Sequence, residues 1–247
     1  MQERVSDAEP CVLREWDSDF FGLRIAQVIE PPRTPAQIDA VDRWAHVHCV
    51  RGLYLFVDAT DETPARLAEA AGYTMVEERV TYLMHTRGAS DLVGSLTHQP
   101  RAATAHDLPA MKALARVSHY RTRFYTDTHF NRERCDAMYE HWIERNYRDP
   151  DVAALVAGPE GDPAGYYTVY PDGGGGLMAL RPECQRQGWG NAFLLTGLAW
   201  LERRGVGTSS QRTQSTNDGA RRMFLKRGGR LVHTELVFHK WFDSSLD

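Results

Sequence analysis

The stretch LMALRPECQRQGWGNAFLLTGLAWLERRG, residues 177–205, constrains this chain more than any other. A short apolar run ends near Leu180, and a helix begins a few residues later with Phe193, Leu194, Leu198 and Leu201 as its apolar residues. Between them lie Gly188 and Gly190, which strip side chains from backbone whose N–H groups point outward at the helix start. Exposed N–H donors and the helix dipole together favour phosphate oxygens there. A pyrophosphate-bearing molecule is the natural occupant; a tight strand-to-helix turn with no ligand is the plain alternative. No GxxxxGK followed by Ser or Thr is present, so the loop is not a P-loop. It also sits late in the chain and lacks a third glycine, which sets aside a dinucleotide Rossmann site.

Of the 247 residues, 42% are hydrophobic and 25% charged, enough for one large domain or two modest ones, each with its own core. The formal net charge of −4 gives a nucleic acid no general attraction, and Arg203-Arg204 and Arg221-Arg222 read as solvated helix surface. Cys11, Cys49, Cys135 and Cys184 are far apart and form no CxxC pair, so neither a disulfide framework nor a metal site is expected. Apolar runs such as Leu53–Val57 are too short to cross a bilayer, and MQERVSDAEP lacks an apolar leader core. No membrane partner is expected, and reduced thiols point to a cytoplasmic location.

Two structured segments flank a polar stretch, Thr86–Pro100. In the first, CVLREW and DSDFFGLRIAQVIE read as strand-like around a turn. Thr34–His48 has helical spacing at Ile38, Val41, Trp44 and Ala45, and LYLFVDA is a buried strand. Thr63-Pro64 opens a helix that Gly72 closes, and YTMVEERVTYLM is a strand. In the second, Asp107 caps a helix through Ala115, and a longer helix covers 132–145. Val152–Ala157 and Gly165–Tyr170 form antiparallel strands around PEGDP, and Gly173–Gly176 is a flexible link to LMALRPE. A helix (191–203), a strand (207–214), a helix (217–227) and the strand LVHTELVFHKWF follow. The two halves end in loosely similar helix–glycine–strand units. The division expected is 1–88, a linker at 89–100, and 101–247.

Leu180-x-Pro182 followed by Gln185-Arg186-Gln187-Gly188-Trp189-Gly190-Asn191-Ala192 resembles motif A of the GNAT superfamily of N-acetyltransferases, written Q/R-x-x-G-x-G/A. Asn217, Ala220, Phe224 and Gly228 fall at the spacing of that superfamily's second cofactor motif. The resemblance implies an α/β architecture: a GNAT fold with a mixed central sheet flanked by helices, preceded by a smaller, partial GNAT-like α/β domain. More narrowly, Trp16–Gly22 is similar to the opening of dTDP-fucosamine acetyltransferases, as are Arg123-Phe124-Tyr125, Tyr139 and His141–Glu144 to their helical region.

Acetyl-CoA is then the implied co-substrate. Backbone of Met178, Ala179 and Leu180 would bond its pantetheine arm like an added strand. N–H groups of Gln185, Arg186, Gln187, Gly188, Trp189, Gly190 and Asn191 would hold the pyrophosphate, and Asn217 and Phe224 would line the cofactor. The implied acceptor is a small-molecule primary amine on a nucleotide-linked deoxyamino sugar, with another amine as the alternative. The resemblance leaves room for a homodimer.

Many members of the superfamily protonate the leaving thiolate with a tyrosine, whose position here is Phe224. Tyr166, Tyr167 and Tyr170 are candidate replacements, the last two foremost. Water is a second answer, since a thiol of pKa roughly 8.5 leaves tolerably without an acid. Acyl-CoA binding without turnover is a third. No base is assigned; His129, Asp127 and His239 could accept a proton. Arg121, Arg123 and Tyr125 are expected at a diphosphate-bearing substrate, with Tyr120 beside them. The polar strand GTSSQRTQS is anomalous for its place, with Arg212 or Gln214 expected toward the cleft.

Overall fold

A computed structural model of the chain describes residues 9–242. Residues 1–8, most of the stretch read above for a leader, and 243–247 lie outside the described residues. The chain divides into two compact units, one taken from the chain up to Arg79 and from Thr234 onward, the other Val80–His233.

The first unit holds β1 (Cys11–Leu13), α1 (Glu15–Phe21), β2 (Ile25–Val28), α2 (Pro35–Val47), β3 (Gly52–Asp58), α3 (Glu62–Ala70) and the start of β4 (Thr74–His85). β1 is antiparallel to β2, and β2 runs parallel to β3 through Ile25↔Gly52, Ala26↔Leu53 and Gln27↔Tyr54. On its other side β3 takes Glu235–Trp241 antiparallel, from the final strand β10 (Arg230–Trp241). The core gathers Leu53, Leu55 and Val57 of β3 with Ile38, Val41 and Ala45 of α2. Thr34 and Gln37 close the start of α2 as a reciprocal capping box, with Pro35 at the first turn.

Two expectations are corrected here. EWDSDFF is a helix rather than strand, because Trp16 and Phe20 stack at i,i+4 with ring centroids 4.9 Å apart. Ser18 Oγ accepts the Ile25 N–H at 3.0 Å, and Gly22, at φ 67, ends the helix. α3 begins at Glu62 after Asp61, so Thr63 lies inside the first turn instead of capping it.

The second unit continues with α4 (Ala89–Val93), β5 (Arg101–Ala102), α5 (Leu108–Ser118), α6 (Arg123–Thr126), α7 (Arg132–Arg148), β6 (Ala153–Ala157), β7 (Gly165–Val169), β8 (Gly175–Leu180), α8 (Trp189–Arg203), β9 (Thr208–Gln214) and α9 (Asp218–Lys226). β5, β6, β7 and β8 form an antiparallel sheet in that order, while β9 neighbours β4 in the other sheet. One apolar cluster sets Leu194 and Leu198 of α8 against Tyr82, Met84 and Phe224. Another sets Phe193 and Leu201 against Tyr167 and Val169.

The 89–100 stretch, expected as a linker, lies within this unit. Ala89 is buried, and the Glu202 carboxylate of α8 accepts the Gly88 and Ser90 N–H groups at the start of α4. The compact units therefore part at 79/80 and 233/234 rather than around 89–100. Asp107 precedes α5, as expected, but makes no side-chain cap. Its buried carboxylate takes both Arg101 nitrogens, at 2.7 and 2.8 Å, and the N–H groups of Thr104 and Gly161. Arg101 holds this carboxyl well below the usual range. Among the described residues no helix is long and apolar enough to cross a membrane.

Candidate functional site

Gly174, just before β8, makes a single parallel bridge to Ser210 of β9, and Ser210 N–H donates to Gly173 O at 2.9 Å. Beyond it the two strands belong to different sheets and part. Tyr167↔Met178, Tyr166↔Ala179 and Gly165↔Leu180 bind one edge of β8 to β7. Among the described residues the other edge of Met178–Leu180 pairs with no strand; there Leu180 O accepts only the Gln185 side-chain amide at 3.2 Å, and the edge could receive an extended chain.

At the open end the chain turns through a single 3-10 turn, Pro182–Cys184, into α8. Arg186 at φ 59 and Gly188 at φ 98 take left-handed backbone, which for arginine costs on the order of 1 kcal/mol. Gly188 precedes α8 with no capping side chain, so the N–H groups of the first turn lack intrahelical partners. A β-carbon added at Gly190 would stand 3.2 Å from Met223 Sδ, so the glycine lets the start of α8 pack closely against α9. Gln185 through Gly188 are exposed, and Trp189 stacks on His98 with centroids 3.9 Å apart. The loop thus fits a pyrophosphate through its open N–H donors and the helix N-terminus. Beside it lies a cleft of about 290 Å³ lined by His98, Gln187, Asn191, Leu195 and Arg227, among others. Arg227 Nε donates to Asn191 Oδ1 there.

At the closed end the four glycines are no flexible link. Gly175 and Gly176 are strand residues, and both faces of the run are occupied. A β-carbon on Gly175 would stand 2.1 Å from Gln211 Oε1, and one on Gly176 2.3 Å from Thr168 Oγ1. Only residues without side chains pass between these neighbours. Opposite Thr168 the register shifts, so that Gly176 and Leu177 together face one residue of β7, a bulge. Thr168 Oγ1 accepts the Leu177 N–H at 2.9 Å and the Asn146 amide at 3.2 Å.

The polar strand β9 now has an explanation. Its residues alternate, with Ser209, Gln211 and Thr213 buried and Ser210 and Arg212 exposed. Tyr167 Oη donates to Gln211 Oε1 at 3.0 Å, Gln211 Nε2 to Ser209 Oγ at 2.7 Å, and Ser209 Oγ to Gly173 O at 2.7 Å. The inward face is a satisfied polar chain at the point where the strands separate. Arg212 points to solvent, and Gln214 is half-buried.

The other expected residues fall as follows. Asn217 caps α9, accepting the Ala220 N–H at 3.3 Å and donating to Thr213 at 3.0 Å. Phe224 is buried against Tyr82, ring centroids 5.6 Å apart. Tyr170 exchanges hydrogen bonds with the Asn146 amide at 3.1 and 3.3 Å. Burial pushes the Tyr167 and Tyr166 phenols upward, and Tyr166 Oη meets His119 Nε2 at 2.8 Å. Burial also pushes His119 down to about 4, so its imidazole is neutral near pH 7. Arg121 is exposed over the Tyr120 ring, Arg123 is buried over Phe124, and Tyr125 Oη donates to Asp136 at 2.6 Å. His129 and Asp127 bond each other at 2.8 Å, and His239 is buried in the first unit, stacked on Tyr54. Sequence reasoning missed His98, His119, Asn146, Thr168 and Arg227. The one available signal was the glycine run, which marks close neighbours on both sides.

A strand pair that opens above a glycine loop, with an antiparallel sheet on one side, is the GNAT acetyltransferase fold, here with an additional sheet-and-helix region before it. The description Acetyltransferase (GNAT) family matches residues 114–229, and the fold implies an acetyl-CoA site. Several solved structures share the fold, among them the following. A functionally unknown conserved protein from Staphylococcus epidermidis has a TM-score of 0.68 at 12% identity, over 98% of this chain and 94% of its own. A GCN5-related N-acetyltransferase from Sphaerobacter thermophilus has 0.65 at 16%, over 96% and 78%. A tandem GNAT protein from the clavulanic acid biosynthesis pathway has 0.56 at 14%, over 91% and 77%. No curated protein matches the chain in sequence.

Proposed function

We propose that this protein moves an acetyl group from acetyl-CoA to a primary amine, by direct attack of the amine on the thioester. The observation that carries the reading is the parting of β8 and β9 after one bridge, directly above an uncapped glycine loop. Gln185–Asn191 would hold the pyrophosphate through backbone N–H groups, and Met178–Leu180 the pantetheine arm along the free edge of β8. Asn217 and Phe224 would flank the same opening, and the His98–Arg227 cleft suits the phosphoadenosine end. When bound, acetyl-CoA supplies an activated acyl carbon with a thiolate leaving group.

Within this reading Tyr170, whose hydroxyl the Asn146 amide orients, gives its proton to the leaving sulfur, and water shares the task. Tyr167 serves less well as an acid, because burial makes its phenol hold the proton more tightly. The incoming amine loses its proton to solvent or to a group on α5–α7. The acceptor we favour is a nucleotide-linked deoxyamino sugar, supported by the likeness of Trp16–Gly22 and by the basic, aromatic stretch Arg121–Tyr125, where Arg121 is free to meet a diphosphate. We further propose that the first unit is a partial GNAT-like domain and that the enzyme works in the cytoplasm.

A second reading, acyl-CoA binding without turnover, is favoured by Phe224, an apolar ring in an apolar cluster at the usual acid position. Thiol release from acetyl-CoA against dTDP-amino sugars, aminoglycosides and polyamines separates these readings. Release with a dTDP-amino sugar supports the whole proposal, and release only with another amine class removes the sugar. Cofactor binding with no release for any amine leaves the second reading.

A further inference from the structure

We infer that Gln211 is the end wall of the acyl slot and restricts the donor to acetyl-CoA. This rests on the acetyl-CoA reading of the opening between β8 and β9. The glycine loop follows the C-terminal end of β8, and the bridge Gly174↔Ser210 closes the opposite end. An arm held at the loop by its pyrophosphate and laid along β8 points its sulfur toward that closed end. β8's six residues give it roughly 20 Å of edge to follow. The acyl group therefore arrives where Gln211 lies against the backbone of Gly175.

The wall is fixed from behind. Gln211 is 3% exposed, and its amide is held at both ends, by the Tyr167 hydroxyl and by Ser209. The Tyr167 ring cannot retreat, because it rests on Gly197 of α8, where an added β-carbon would stand 2.7 Å from Tyr167 Cε1. Gly197, Tyr167, Gln211 and Gly175 thus form one stack without slack, ending in a polar amide that gains nothing from further methylenes. Such a wall admits a methyl group and excludes longer chains by about tenfold for each added carbon.

Calorimetric titration of the full chain with CoA, acetyl-CoA, propionyl-CoA and butyryl-CoA tests this by binding alone. The unaltered protein is expected to bind acetyl-CoA about a hundredfold more tightly than butyryl-CoA, which is longer by two carbons. Gln211→Ala is expected to raise butyryl-CoA affinity relative to acetyl-CoA by tenfold or more, and the milder Gln211→Asn by a smaller factor in the same direction. Equal affinity for acetyl- and butyryl-CoA in the unaltered chain overturns the inference and needs no variant to fold. An unchanged ratio in a folded Gln211 variant overturns it equally. Failure of the unaltered chain to bind even CoA would instead remove the reading beneath it.

Discussion

The order strand–helix–strand–helix–strand occurs twice in this chain, as β2–α2–β3–α3–β4 and as β8–α8–β9–α9–β10. In the first run the two leading strands stay joined through three residue pairs, β3 is almost wholly buried and apolar, and α2 is sealed by its capping box. In the second, the strands meet once and part, β9 is polar on its buried face, and α8 starts at a left-handed glycine with no cap. The same sequence grammar gives a closed unit where side chains satisfy the backbone and an open one where they are withheld. A site here is a set of omissions: no cap, no β-carbons, no second ladder on β8.

Filling an omission should have the largest effect. Gly190→Val drives a branched side chain against Met223 where the loop enters α8, displacing the helix start, and is expected to weaken acetyl-CoA binding on the order of 100-fold with the fold retained. Calorimetric titration checks this, and unchanged affinity would mean that the open helix start is not the anion site.

Acid should next separate the units. The folded value of His119, about 4, lies below its ordinary 6.5. Its contribution is therefore intact above pH 6.5 and is lost as pH falls from there toward 4, by about 3 kcal/mol. Asp107, held below the usual carboxylate range, yields only at still lower pH. Both belong to the second unit, whose amides are expected to exchange faster than those of the first as pH drops from 6.5 to 4. His119→Gln should flatten that dependence.

Gly197→Ala drives a methyl group into Tyr167 and Val169. A loss of about 1–2 kcal/mol, read as a melting point lower by roughly 5 °C, is expected. The smallest effect sharpens the contrast from the closed side. Thr34→Ala removes the capping box and should cost about 1 kcal/mol by denaturant titration, leaving acetyl-CoA affinity unchanged.

The parts legible in the sequence are those fixed by local rules. The α2 start follows from Thr34 and Pro35, β3 from its apolar run, and the α8 loop from its glycines. α1 was misread because aromatic residues at close spacing suit a strand as well as a helix, and the Ser18–Ile25 bond that decides it spans the turn. The glycine run was misread as slack because flexibility and close packing call for the same residue. Its cause, Gln211 on one face and Thr168 on the other, lies elsewhere in the chain. His98 reaches Gln187 O from 89 residues away, a meeting that no local pattern announces.

The contrast between a closed and an open unit is tested most directly by the stoichiometry of acetyl-CoA binding to the unaltered chain. One equivalent is expected, at the second run alone and lost in Gly190→Val. Two equivalents, or one that survives Gly190→Val, would contradict it.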